Sequence, residues 1–301
     1  MQNPNKLVLL TPKCFQFNEE TANNNFFQKN KSDSDQIANK AALEHAKMVE
    51  TLKDSGIEVL LLTDDEQLNN PDAIFLNNWF SIAPDNTLII YPMWAENRRR
   101  EVRLEAIETI KTSFEITKTI DFSPKVDNGL FCEGTGSIVF DDLTKKAFAC
   151  ISPRTNIELF EEICKTLNYQ PISFLAEDAM GREIYHTNVM LSIGKYVIVV
   201  CADSISNNIE RKLVLQQLHQ TNRLVVEISL AQMNQYCGNV IEVTNLDGEH
   251  FLLMSETAYQ AYTPKQIAEI SAQVKILSFA IPTIETYGGG SVRCTIAGGF
   301  N

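Results

Sequence analysis

Short apolar runs separated by polar turns alternate with stretches of helical period along this 301-residue chain. Residues 6–10 read as a buried strand. A polar, asparagine-rich segment over 16–35 follows, with Phe15, Phe17, Phe26 and Phe27 in or beside it. A segment of that length without its own secondary structure is either disordered or functional, such as a lid, and its aromatics argue against full disorder. Ile37, Ala41, Leu43, Ala46, Met48, Val49 and Leu52 then recur with an approximately helical period, predicting a helix over 34–52. Gly56 stops it, and 57–62 is the next strand.

From there one pattern recurs. Strands over 74–81 and 87–91 flank an Ala83-Pro84-Asp85-Asn86 turn, and a helix follows over 97–111. A second set has strands 136–140 and 146–150, helix 156–167 and strand 172–175. A third has strands 188–193 and 196–201 around Gly194-Lys195, helix 208–219 and strand 224–228. A fourth has strands 239–243 and 250–253, helix 264–274 and strand 276–280. A fifth would open with a strand over 291–296 and borrow 7–10 and the 34–52 helix from the N-terminus. Strand–strand–helix–strand units spaced at roughly 50–60 residues are typical of propeller or array architectures.

Polar residues before each first strand fall in equivalent places: Asn77-Asn78, Glu133 to Gly136, His186 to Asn188, Gly238-Asn239 and Gly289 to Cys294. Strand starts packed about one axis would bring Glu133, His186 and Cys294 together although the sequence separates them widely. The expected fold is therefore α/β, a five-bladed α/β-propeller with pseudo-fivefold repeats around a central active site. Residues 1–301 are expected to form a single catalytic domain whose fifth blade is closed by both termini.

Composition narrows the function. The chain is 44% hydrophobic and 21% charged, which is ordinary globular composition with enough length for a large core. A net charge of -12 and a pI near 4.9 argue against a whole-protein nucleic-acid binder. The most basic run, Arg98-Arg99-Arg100, is too short for a nucleic-acid stripe but suits a local site for a small carboxylate. The seven cysteines include no C-x-x-C pair, so neither a zinc knuckle nor a thioredoxin motif is indicated. No apolar run approaches membrane-spanning length, and the N-terminal apolar run is too short for a secretory signal. A reducing cytoplasm with free cysteines is the expected setting.

A cysteine nucleophile needs a lowered pKa or an adjacent base, an acid for the leaving group, and groups that hold the reacting carbon. Cys294 lies between Gly288-Gly289-Gly290 and Gly298-Gly299, where glycines let a ligand come close. Most free cysteines are simply buried small hydrophobes, so this stretch alone does not decide. Of the four histidines, His45 and His219 lie in amphipathic helices and His250 follows a charged turn, so surface positions are expected for all three. His186 opens an apolar strand, and on local evidence a core histidine and a catalytic one are equally good readings. Glu133, among small residues in Cys132-Glu133-Gly134-Thr135-Gly136, would suit orienting His186.

These pieces carry a resemblance. Pro71-Asp72-Ala73-Ile74-Phe75, Arg98-Arg99-Arg100-Glu101, Glu133-Gly134, Ser152-Pro153-Arg154-Thr155, His186 and the glycine-led Cys294 span nearly the whole chain. Together they resemble the guanidine-modifying enzymes of the pentein (α/β-propeller) superfamily: dimethylarginine dimethylaminohydrolases, arginine deiminases and amidinotransferases. The resemblance implies Cys294 as nucleophile, His186 as general acid/base and Glu133 as its carboxylate partner. It places Asp72 against the substrate, and Arg154 with Arg98 or Arg99 on the α-carboxylate, for which an arginine fork is apt.

Two departures bear on the substrate. Where arginine-directed members carry acids that grip the guanidinium, this chain has Asn78 and Asn188. An amide both donates and accepts, which suits a neutral ureido group better than a cation. The expectation is thus a member of the citrulline hydrolase (ureidase) branch. It would cleave L-citrulline to L-ornithine, CO2 and NH3 through an S-carbamoyl cysteine, with Asn78 and Asn188 orienting the ureido group. The nearer alternative is a deiminase, dihydrolase or amidinotransferase acting on arginine or a capped arginine. The more distant one is a non-catalytic pentein binding module. No metal or organic cofactor is expected. The expected partner is a small amino-acid substrate, with no nucleic acid or membrane, for a monomer or homo-oligomer.

Overall fold

The computed structural model describes residues 2–30 and 36–300. It is a mixed α/β protein with, among the described residues, fifteen strands in five three-stranded sheets. The strands are β1 Lys6–Thr11, β2 Glu58–Thr63, β3 Phe80–Ile82, β4 Thr87–Ile90, β5 Lys118–Asp121, β6 Val139–Asp141, β7 Lys146–Cys150, β8 Gln170–Phe174, β9 Leu191–Ile193, β10 Val197–Val200, β11 Leu224–Glu227, β12 Ile241–Thr244, β13 His250–Ser255, β14 Lys275–Phe279 and β15 Ala297–Gly299. Each sheet repeats one plan: a first strand antiparallel to a middle strand, then a third strand parallel to the middle one. The fifth sheet is assembled from both ends of the chain, as expected. β15 pairs antiparallel with β1, Leu7 opposite Gly298, and β1 pairs parallel with β2, Leu7 opposite Val59.

Burial explains why some strands were legible. The middle strands, such as β4 and β10, are buried on both faces, so they read as unbroken apolar runs. The third strands face solvent; β5, as Lys118–Asp121, is mostly exposed and carries no such run, and it was not foreseen. A parallel third strand requires a crossover, and helices supply it. In the helix Ile157–Leu167, Leu159, Phe160, Ile163 and Cys164 form one buried face that shares a core cluster with Ala147 and Ala149 of β7. Among first strands, β15 packs beside β3, β6 beside β9 and β9 beside β12.

Several boundaries differ from the sequence reading. The helix expected over 97–111 is two pieces, Glu96–Arg99 and Leu104–Ser113, because Arg98 turns back onto Glu101 and Arg103 is extended. The first helix is described from Ile37 to Asp54, and its expected start at 34 lies outside the described residues. His45 is not a surface residue but is 1% exposed on the inner face of that helix. Its Nε2 has no partner among the described residues, and burial lowers its pKa from 6.5 to about 4.

That burial predicts an acid sensitivity. With the native pKa below the unfolded one, the unfolded chain binds a proton that the native chain refuses. Stability is therefore full above 6.5 and is lost as pH falls towards about 4, by about 3 kcal/mol for this one group. Thermal stability of the wild type should weaken between about pH 7.5 and pH 5, and His45→Leu should remove its share of that loss, the rest staying with other buried groups such as His186. An unchanged pH dependence in the variant contradicts the assignment.

Candidate active site

The polar residues expected at strand starts do not lie in strands. Leu76–Asn78, Gly134–Ser137, Thr187–Val189 and Val292–Thr295 each form a single helical turn, and β3, β6, β9 and β15 begin after it. Asn, Ser, Thr and Gly favour such turns because their small polar side chains satisfy local backbone groups. The strand expected over 291–296 is thus a turn followed by the short strand β15. These turns hold Asn78, Asn188 and Cys294, and Glu133 and His186 directly precede theirs.

Glu133 and His186 meet across two of these units. His186 Nε2 lies 2.8 Å from Glu133 Oε2, and Glu133 Oε1 accepts the Trp94 backbone N–H at 2.9 Å. Arg154 Nη1 stands 3.6 Å from Glu133 Oε2. Burial would raise the Glu133 pKa, but Arg154, His186 and Arg98 together outweigh it and hold the group at about 2. For His186, burial is the largest cause and lowers the pKa to about 4, against the upward pull of Glu133. The imidazole is therefore neutral near pH 7. With Nε2–H given to the carboxylate, Nδ1 keeps the lone pair. Gly136 faces that nitrogen; a Cβ there would lie 2.7 Å from His186 Nδ1 and 2.4 Å from Asn78 Nδ2.

Cys294 is 4% exposed at the third residue of its turn. Its sulfur receives Asn239 Nδ2 at 3.1 Å and Asn188 Nδ2 at 3.4 Å. No hydrogen bond joins it to His186 among the described residues. Asn239 also donates to the Asn188 carbonyl at 3.0 Å. Asn239 was named among the strand starts but not as a site residue. The signal was its place in the fourth unit, equivalent to Asn78 and Asn188.

Asp72 and the two arginines form the next group. Of the neighbouring pair, Arg98 is turned inward and 2% exposed, while Arg99 is half-buried on the carbonyls of Met93 and Trp94. Arg98 donates to both Glu101 oxygens, to Asn78 Oδ1 at 2.7 Å, and to the carbonyls of Asp72 and Phe75. Its hydrogen bonds are directed to the protein, so its evident work is to fix Asn78 and the 72–75 turn. Asp72 Oδ2 accepts from Asn18 at 2.7 Å, while Oδ1 is buried without a partner among the described residues. Burial, opposed chiefly by Arg98, raises the Asp72 pKa.

The 16–30 part of the expected lid crosses this site, and 31–35 lie outside the described residues. Asn18 holds Asp72, Asn24 Oδ1 takes Arg154 Nε at 2.9 Å, and Asn25 donates to the Gly288 carbonyl at 2.9 Å. Tyr185 completes the wall: its hydroxyl donates to the Gly289 carbonyl at 2.8 Å and its ring faces the Arg154 guanidinium at 4.8 Å. Gly289, at φ 63°, lies where a Cβ would meet Gln28 N at 2.4 Å, so the loop and the glycine cluster fit only because that side chain is absent. Among the described residues no His, Cys, Asp and Glu cluster could hold a metal ion, and no helix is long and apolar enough to cross a membrane.

The arrangement offers a thiol between two amides, a neutral imidazole on a carboxylate, a second buried carboxylate and two arginines. Solved structures share the fold. The apo structure of ArgZ, described as an arginine dihydrolase from the ornithine-ammonia cycle in cyanobacteria, is 16% identical with a TM-score of 0.72, over 97% of this chain and 40% of that one. Unliganded AgrE is 13% identical with a TM-score of 0.74, over 98% of this chain and 40% of that one. This chain therefore spans about 40% of the length of those proteins. A dimethylarginine dimethylaminohydrolase in its adduct with S-methyl-L-thiocitrulline is 16% identical with a TM-score of 0.65, covering 98% and 99% of the two chains. No curated protein matches the sequence. The sequence profile of the family described as "N,N dimethylarginine dimethylhydrolase, eukaryotic" matches residues 11–301, and the chain belongs to that family of hydrolases.

Proposed function

We propose that this hydrolase removes the guanidino carbon of free L-arginine in two rounds, giving L-ornithine, CO2 and two ammonia from one arginine and two waters. The observation that carries the reading is a set of orphan acceptors. Asp72 Oδ1, Asn188 Oδ1 and Asn239 Oδ1 are buried without hydrogen-bond partners among the described residues. A buried unsatisfied acceptor costs about 1–3 kcal/mol, so the site calls for a donor-rich group. A guanidinium brings five N–H donors and no acceptor. A ureido group brings a carbonyl oxygen besides, and Asn78, one of the two amides that pointed to it, already accepts from Arg98 with its oxygen. The names of ArgZ and of the dimethylarginine hydrolase support a guanidino substrate class.

In this reading the Cys294 thiolate attacks the guanidino carbon, and His186 Nδ1 takes a proton from the guanidinium and relays it to a terminal nitrogen, which leaves as ammonia, giving a neutral amidino thioether. The amidino thioether is hydrolysed by water that His186 Nδ1 deprotonates, returning the thiolate and leaving citrulline in the site. Cys294 then attacks the ureido carbon, and the ornithine δ-nitrogen leaves protonated. Water releases carbamate from the S-carbamoyl cysteine, and it breaks down to CO2 and ammonia. The expected citrulline hydrolysis is thereby the second round. Glu133 holds His186 in its tautomer. Asp72 meets the amino-acid end, and Arg154 exchanges Asn24 for the substrate carboxylate as the 16–30 loop opens and recloses. Arg98 keeps Asn78 in place. The five sheets close into one ring around this site, residues 1–301 act as one unit, and the chemistry uses no cofactor.

Purified protein should be given arginine, citrulline and asymmetric dimethylarginine, with ornithine, citrulline, ammonia and dimethylamine measured. The expected result is ornithine from both arginine and citrulline, with two ammonia for each arginine consumed. Dimethylamine from dimethylarginine with arginine untouched, or ornithine from citrulline alone, overturns the arginine reading.

A further inference from the structure

Asn239 comes from the fourth unit, whose opening residues contribute no acid, imidazole or nucleophile, and yet it makes the shorter of the two hydrogen bonds to the Cys294 sulfur. We propose that Asn239 is a catalytic residue that holds Cys294 as the thiolate. Its orientation is fixed by its neighbours. One Nδ2–H points to the Asn188 carbonyl at 3.0 Å and the other to Sγ at 3.1 Å. Rotating the amide would set two carbonyl oxygens against each other. With Asn188 Nδ2 added, the sulfur accepts two N–H groups in a pocket closed to solvent. Hydrogen bonds to the charged form favour that form, and a thiolate accepts far better than a thiol.

The usual source of thiolate stabilisation is missing from the geometry. An imidazolium next to the sulfur would serve, but His186 is neutral, bonded to Glu133, and makes no hydrogen bond to Sγ among the described residues. Arg293, Tyr185 and Tyr236 also interact with the sulfur. Burial pushes both phenols up, so they stay neutral, and Tyr185 directs its proton to the Gly289 carbonyl while Tyr236 directs its own to the Glu285 carbonyl. Arg293 contributes favourable charge but sends Nη1 to the Ile296 carbonyl at 2.9 Å rather than to the sulfur. Amide donors are then the direct contacts, and Asn239 makes the shorter one.

The test needs no substrate. Iodoacetamide labelling of Cys294, followed by peptide mass spectrometry across a pH series, gives the apparent pKa of that thiol in the full chain. Asn239→Ala should raise it by about one unit or more. The nearly isosteric Asn239→Asp should raise it further, since a carboxylate replaces a donor. Arginine turnover near neutral pH should drop by about tenfold or more and recover partly at higher pH in Asn239→Ala. If the alanine variant does not fold, the aspartate variant carries the same comparison. An unshifted labelling profile in a folded variant overturns the proposal. Because labelling is independent of the substrate, that outcome would leave the arginine reading standing, and failure of the arginine reading would leave this one intact.

Discussion

Glu133→Gln is expected to lower kcat by about 10³–10⁴-fold, with a smaller change in KM. The carboxylate has two partners among the proposed catalytic residues. Oε2 accepts from His186 at 2.8 Å and faces Arg154 at 3.6 Å. Glutamine keeps the shape but turns one oxygen into an N–H donor. If that donor meets His186, the imidazole must present the lone pair of Nε2 to it, and Nδ1 becomes the protonated nitrogen. The base is then on the wrong atom. The variant also leaves Arg154 buried beside a neutral group, and losing one partner of a buried pair costs about 3–5 kcal/mol. Thermal unfolding followed beside steady-state kinetics separates the two effects. A variant that is folded at the assay temperature and retains more than about a tenth of wild-type kcat would refute the role given to Glu133.

Gly136→Ala is expected to cost at least about 100-fold in kcat without unfolding the protein. The new Cβ would sit 2.4 Å from Asn78 Nδ2, 2.7 Å from His186 Nδ1 and 2.8 Å from His186 Cε1. Such contacts are far inside van der Waals range, so the imidazole or the Asn78 amide must move. Neither moves freely: His186 is bonded to Glu133, and Asn78 is clamped by Arg98. A displacement of the base by about 1 Å is enough for that loss, because proton transfer and attack both depend on near-contact geometry. Gly136 is not at a positive φ, so backbone strain does not contribute and the effect reads on the catalytic group alone. Wild-type kinetics in this variant would mean that the His186 Nδ1 side is not where the reaction occurs.

How much of this was legible follows from where the information lies along the chain. The doubly buried middle strands announce themselves as apolar runs, and their spacing exposed the five units, including the one shared between Leu7 and Gly298. The same alignment brought Glu133 to His186. The turns at the strand starts were misread because Asn77-Asn78 and Thr187-Asn188 adjoin apolar residues and extend the strand pattern. His45 sits on a helix whose outer face is charged, and its burial depends on packing from elsewhere in the chain. Arg98 could be flagged as an anion binder from its type, but its commitment to Glu101 and Asn78 is a matter of three-dimensional contacts. The substrate reading moved for a related reason. The asparagines at 78 and 188 suggest a ureido group when taken as residue types, whereas Asn78 Oδ1 is taken by Arg98 and the oxygens of Asp72, Asn188 and Asn239 are left without partners among the described residues. Asn239 was visible as a position in the repeat and invisible as a partner of Cys294.

The central claim is that Cys294 attacks the same carbon twice. Arginine labelled with carbon-13 at the guanidino position, mixed rapidly with enzyme and quenched in acid at successive times, tests it through mass spectrometry of the Cys294 peptide. The account predicts two labelled adducts in order. The first is an amidino thioether that still carries the amino-acid chain, and the second is a carbamoyl group that has lost it, with the label ending in CO2. Label that stops at the first adduct and leaves as citrulline, or that never reaches Cys294, would contradict it.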